Sequence, residues 1–250
     1  MPASFDARKA KILGELDTPD EQYEDLSPKG SVDSGIRELI SEINALPQYV
    51  TTSSCAGRIS AYLEGTKGAK GGGQWLFTSH EAVEMPVANG AVYKLLGLEN
   101  DEPAAPSEVE EARFVHLKFE PMILHILTAS PPAAQHAATA ALTAGFRESG
   151  ITGILSPSPA QPATPMVAVR SSGLVFDCII GYSSTSTTLG RGEPEISDAS
   201  TGGDGEAPRP QRIVPMVSEA YLRTLLGIAN QRFTTNGERR ERFRKALLGV

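Results

Sequence analysis

The run from Arg113 to Phe119 does most to limit what this chain can become. Phe114, His116 and Lys118 alternate with Val115, Leu117 and Phe119. A period of two gives a β-strand one apolar and one polar face. Such a strand needs a covering layer on its apolar side. The pattern predicts pairing with a second strand, Met122 to Leu127, beyond Pro121. Strand chemistry recurs at Tyr49–Thr52, Arg58–Leu63, Trp75–Thr78, Ile151–Leu155, Met166–Val169 and Leu174–Ile180.

Helical spacing interleaves with these strands. Phe5–Leu16 carries Ile12, Leu13 and Leu16 on one side. Ser31 to Ser34 offer cap oxygens for a helix bearing Ile36, Leu39, Ile40 and Ile43. An alanine-rich helix opens at Ser130-Pro131-Pro132 and stops at Gly145. A last helix covers Val217 to Leu248, with a possible break at Thr234–Gly237. Helices set among hairpin-like strands indicate an α+β fold with a mainly antiparallel sheet. We expect one domain over residues 1–250, with Gly65–Gly73 as a hairpin linker and 183–210 as a disordered insertion.

A chain of 250 residues buries one substantial core, and 40% hydrophobic with 21% charged residues suits a soluble protein. No apolar run approaches the roughly 20 residues of a membrane span, and the N-terminal residues lack a signal core. Cys55 and Cys178 are the only cysteines, which excludes a disulfide framework and fits a cytoplasmic setting. The net charge of -7 argues against bulk, non-specific nucleic-acid binding. A local basic segment survives within it, since Arg232, Arg239, Arg240, Arg242, Arg244 and Lys245 face only Glu238 and Glu241.

Chemistry concentrates in Thr51-Thr52-Ser53-Ser54-Cys55-Ala56-Gly57-Arg58. Small hydroxyls, a glycine and a guanidinium fork in a turn suit a carboxylate or a phosphate. Cys55 reads first as a small buried hydrophobe, because the spacing to Arg58 is too short for a cysteine-phosphatase loop. His80-Glu81 is a near miss to the zinc-protease helix, with Glu84 where the second histidine belongs. No ligand set has metal spacing in sequence. Lys118 and Glu120 share a strand face, and His125 follows in an apolar stretch. No Gly-x-Gly-x-x-Gly follows a first strand, so a Rossmann cofactor site is not indicated.

Several segments in order resemble the tRNA wybutosine-synthesizing protein 3 family. They are Ser27–Asp33, Thr52–Arg58, Gly73–His80, Lys118–His125, Ala144–Gly150 and Asn230–Phe233, with Ala56 standing where serine is common. The resemblance implies a non-Rossmann α+β fold, a duplicated strand-helix-strand-strand motif with a barrel-like antiparallel sheet. It implies an S-adenosylmethionine-dependent methyltransferase acting on the N4 nitrogen of a tricyclic guanosine derivative beside the anticodon of phenylalanine tRNA. The proton acceptor is then His80, with Glu120 or His125 as second choices. Ser53, Ser54 and Arg58 would contact the cofactor carboxylate or the target nucleotide. Trp75 would stack on a base, and Lys118, Arg147, Ser149, Asn230 and Arg232 would bind the RNA. Two other readings stay open: a non-catalytic RNA-binding protein of the same fold, and a thiol enzyme at Cys55.

Overall fold

Two long antiparallel strands carry the architecture, β1 (Tyr49–Leu63) and β3 (Ala112–Thr128). The computed structural model describes residues 4–16, 32–65, 73–109, 112–156, 162–184 and 212–249. Most of the expected 65–73 linker, residues 185–210 of the expected insertion and positions 27–31 of the first motif lie outside the described residues. The pair merges what reads in sequence as separate strands. No hairpin forms at Pro121: β3 passes straight through it. Likewise Ser53 to Gly57 is not a turn but the middle of β1.

A proline inside a strand removes a ladder donor, and the fold answers that loss at one place. Pro121 stands opposite Gly57, and the ladder skips the adjoining pair Ala56 and Met122. The carboxamide of Asn236 serves both backbones there. It accepts from the Met122 N–H at 2.8 Å and donates to the Ala56 carbonyl at 2.8 Å. Asn236 is only 2% exposed, so these bonds replace solvent entirely. Gly57 is in the left-handed region at φ +105, and a Cβ there would lie 2.9 Å from the Asn236 amide nitrogen.

The same junction switches which residues the strands bury. Below it β3 buries Met122, Leu124 and Ile126; above it Phe119, Leu117 and Val115. The lower set packs with Ile36, Leu39, Ile40 and Ile43 of the first helical layer, with the alanines of α4 (Pro131–Ala144) and with Phe146. The upper set packs with α3 (Ala91–Leu95) and with Leu174 and Ile180. The helix α5 (Glu219–Leu248) serves both cores, through Leu222, Leu225, Leu226 and Ala229 at one end and Phe243 and Leu247 at the other. At 1.5 Å per residue it is about 45 Å long. It runs without the break read at Thr234–Gly237, because Asn236 sits within it as the tie to the sheet.

The rest of the sheet hangs on β1 and β3. β2 (Gln74–Ser79) pairs with the upper part of β1. On the other edge of β3, β6 (Phe176–Ser184) pairs with residues 112–119 and β5 (Met166–Val169) with residues 124–127. β4 (Gly150–Thr152) and β7 (Val214–Pro215) add short edges. All these pairings are antiparallel, so the α+β, non-Rossmann expectation holds, but the sheet path ends at β2 and β4 and does not close into a barrel.

Local signals placed most helices. α1 (Phe5–Leu16) falls where read. In α4 the Ser130 side chain accepts from the Ala133 N–H, prolines fill the first turn, and Gly145 ends the helix at positive φ. The second helix differs. A 3-10 turn, Ser34–Ile36, precedes α2 (Arg37–Ala45), and Asp33 makes no side-chain cap to it. Its carboxylate instead accepts from the Ala56 N–H on β1 at 2.8 Å.

Substituting Asn236 with leucine leaves a buried N–H and a buried carbonyl unpaired, at about 1–3 kcal/mol each. Asn236→Leu is therefore expected to lower the urea midpoint sharply. An unchanged midpoint would show that the junction is satisfied by other means.

Candidate active site

Among the described residues β3 lacks a strand partner along one edge from Glu120 to Ile123, between the last residue paired to β6 and the first paired to β5. The connection between β5 and β6 bows away there, and a cleft of about 830 Å³ opens behind it. β1 and β3 supply Ser54, Cys55, Arg58, Glu120, Pro121, Met122 and Ile123; the end of β2 and the residues after it supply Thr78 to Glu81. Asp33 and Ser34 close one end, and Arg170, Ser171 and Val175 the opposite wall. A cleft of this size accepts a ligand of cofactor class.

Asp33 organises the buried end. It is 5% exposed, one oxygen holds the Ala56 N–H, and the other lies 3.4 Å from His80 Nε2. The carboxylate can only accept, so in any hydrogen bond between the two His80 is the donor. The Cys55 thiol is beside them. Burial pushes it up to about 11, and the Asp33 charge adds to that against a backbone N–H from Gly57 and the Arg58 charge. At neutral pH it is a protonated thiol and no nucleophile.

Asp33, Cys55 and His80 also place one carboxylate, one thiol and one imidazole within 4.8 Å of one another. These donor types can ligate zinc. Sequence spacing hid the grouping, because the three come from separate elements. Metal binding would require the thiolate, which burial disfavours.

Arg58 and Glu120 face each other across β1 and β3 and form an ion pair at 2.7 Å. The guanidinium also lies 4.9 Å from the Trp75 ring centroid, and Trp75 packs on Tyr62 at 4.9 Å. Trp75 remains 40% exposed.

Of the residues singled out in sequence, Ser54, Cys55, Arg58, His80 and Glu120 meet in this cleft, and Trp75 lies outside its lining. Ser53 and His125 do not line it. They pair across the strands, with the Ser53 hydroxyl 2.8 Å from His125 Nδ1. Lys118 is held by Asp177 at 2.8 Å, beside His116. Asn230 uses its amide on both backbone groups of Val83, and Arg232 donates to the Leu174 carbonyl while lying over Phe176. Both tie α5 to the fold. The basic run that follows is largely taken up in the same way: Arg239 donates to Ser171, Arg242 to the Ala144 carbonyl and Arg244 to Glu42. Arg147 is exposed outside the cleft, and the Ser149 hydroxyl accepts from the Arg170 N–H.

Two charged cleft residues, Asp33 and Arg170, escaped the sequence reading as site residues. Asp33 looked like a helix cap, and only the approach of β1 reveals its other task. Arg170 sits just beyond β5 with no motif to mark it.

Residues 7–249 match the family model described as Methyltransferase TYW3. A Schizosaccharomyces pombe protein named tRNA wybutosine-synthesizing protein 3 is 42% identical over 76% of this chain and 73% of its own length. A human homolog of the same name is 31% identical over 98% of this chain and 73% of its length. The fold is similar to that of the PH1069 protein from Pyrococcus horikoshii, with a TM-score of 0.63, 23% identity and coverage of 98% and 96% of the two chains. With the ordered motifs, the open antiparallel sheet and the cleft in hand, the chain belongs to the TYW3 family of methyltransferases.

Proposed function

We propose that this cleft binds S-adenosylmethionine and methylates the N4 nitrogen of the tricyclic guanosine-derived base next to the anticodon of phenylalanine tRNA, in wybutosine biosynthesis. The names of the relatives support the pathway and the RNA class. The observation that carries the reading is the Asp33–His80 pair at the buried end of a cleft large enough for a donor and a base.

The residues present suit the donor. Asp33, Glu81 and Glu120 outnumber the arginines Arg58 and Arg170 on the cleft wall, a balance that favours a ligand bearing sulfonium and ammonium charges. The hydroxyls of Ser34, Ser54, Thr78 and Ser79 offer further polar contacts, and Pro121, Met122, Ile123 and Val175 give apolar surface. The bound donor supplies a methyl group whose departing sulfur becomes neutral, so the protein's task is alignment and proton removal.

His80 takes the proton from the ring nitrogen as the new bond forms. The adjacent Asp33 carboxylate holds the imidazole and offsets the charge it gains. Glu120 is less suited to that step, because Arg58 already engages its carboxylate. That ion pair instead forms part of the cleft wall, and Trp75, half-exposed against Arg58 just outside the lining, offers a base a surface to stack on. Cys55 takes no covalent part.

Phenylalanine tRNA from cells lacking the protein should accumulate the nucleoside one methyl group lighter, read by mass spectrometry. Restoration by the wild-type chain is expected. His80→Ala should fall about 10²–10⁴-fold in kcat while still binding RNA; undiminished turnover removes His80 from the mechanism. Calorimetry that finds no saturable S-adenosylmethionine binding, with or without RNA, overturns the methyl-transfer reading altogether.

With its thiol pushed up to about 11, Cys55 should alkylate slowly near neutral pH and faster only as alkali approaches that value. Peptide mapping separates it from Cys178. Cys55→Ser is expected to keep its activity; rapid alkylation at neutral pH with loss of turnover would restore the thiol-enzyme reading.

A further inference from the structure

The cleft has two polar ends that differ in kind, and the outer one carries a binding site of its own. Arg170 lines the cleft from the loop after β5, and its side chain is exposed. Its Nε donates to the Glu148 carbonyl at 3.1 Å, which leaves both Nη groups without a partner among the described residues. The loop beneath it is fixed from several sides. Glu148 accepts from the N–H and the hydroxyl of Ser172, at 2.9 and 2.8 Å. Ser149 takes the Arg170 N–H, and Arg239 of α5 donates to Ser171 at 3.0 Å. Arg147, adjoining Glu148 in sequence, is exposed and also has no side-chain partner among the described residues.

Several other cations near the cleft are already engaged, while Arg240 of α5 lies by Gly35, next to Ser34 at the Asp33 end. Arg58 pairs with Glu120, Lys118 with Asp177, and Arg239 with Ser171. An anion reaching the exposed side of the cleft therefore meets uncommitted positive charge at Arg170, with Arg147 one residue from the Glu148 that anchors it. Building a loop with this many hydrogen bonds while leaving the guanidinium tip open is the arrangement that presents a fork to an anionic oxygen pair.

Position decides which anion. The buried end of the cleft, at Asp33 and Cys55, is where a small donor and the reacting nitrogen must meet His80. A polymer backbone cannot enter there, because it must continue into solvent on both sides of the flipped or unstacked base. It runs past the mouth, where Arg170 stands. We infer that Arg170, with Arg147 beside it, holds a backbone phosphate of the RNA flanking the target nucleotide, and that Arg58 is not the anion's ligand. This inference rests on the reading of the cleft as a tRNA methyltransferase site.

The test is the salt dependence of binding of a synthetic anticodon stem-loop RNA to the full chain, measured beside calorimetry with S-adenosylhomocysteine. Arg170→Gln should lower the steepness of log K against log salt by about 0.7–0.9, the contribution of one phosphate. Its S-adenosylhomocysteine affinity should stay within about twofold of wild type, since one lost phosphate contact leaves the donor end untouched. Arg170→Lys should keep the wild-type slope, which separates lost charge from a disturbed loop. An unchanged RNA slope with weakened S-adenosylhomocysteine binding overturns the inference and assigns Arg170 to the donor's carboxylate. An unchanged slope and unchanged S-adenosylhomocysteine affinity also overturns it. If wild type binds the RNA with the expected slope change in Arg170→Gln but binds no S-adenosylhomocysteine, the phosphate site stands and the methyl-transfer reading falls.

Discussion

Where β1 and β3 share their midpoint, the carboxamide of Asn236 supplies hydrogen bonding that the strands cannot supply for themselves, joining the Ala56 carbonyl to the Met122 N–H. Pro121 has no donor, and Gly57 is turned to positive φ with no room for a Cβ beside the amide. A regular ladder through this point would keep one parity of residues buried along the whole strand. The junction lets Leu117 and Phe119 face one core and Met122 and Leu124 another. One helix then seals both cores and carries the tie between them.

The cleft follows from that interruption. Because residues 120–123 of β3 leave one edge without a strand, polar backbone and side chains can face a cavity at the centre of the sheet rather than at its end. Asp33 reaches across to the same stretch of β1 and, with its second oxygen, sets His80. The carboxylate that secures the strand is therefore the one that orients the imidazole. Under the proposed mechanism stability and chemistry share these atoms, so substitutions of Asp33 would disturb both. Charge differs along the cleft as well: the Asp33 carboxylate is buried, and the guanidinium of Arg170 is exposed with its Nη groups open.

Much of the framework was legible in the chain. The Ser130 cap, the Pro131-Pro132 start and the Gly145 stop placed α4 because those signals act within a few residues. Alternation identified Arg113–Phe119 as strand for the same local reason. The reading failed where a local rule met a distant partner. Pro121 looked like a strand end, yet Asn236, far along the sequence, makes its position tolerable inside β3. The basic C-terminal segment gave no local sign that Arg232 and Arg242 bond to carbonyls, and Arg244 to a carboxylate, that other elements bring to them. In the cleft, Ser54, Arg58 and His80 were visible as chemistry-bearing types, whereas Arg170 carried no pattern of its own.

What the order of residues determined unaided is most of the helices, the strand character of β1 and β3 segment by segment, and the antiparallel, non-Rossmann character of the sheet, all consequences of periodicity and short-range hydrogen bonding. The tertiary structure alone decided which polar groups remain available. Asp33 became a bridge, Arg58 became half of an ion pair, Asn230 and Arg232 became ties, and Arg170 kept an open guanidinium. The physical reason is that a polar side chain's role depends on whether folding brings it a partner, and those partners lie tens to hundreds of residues away.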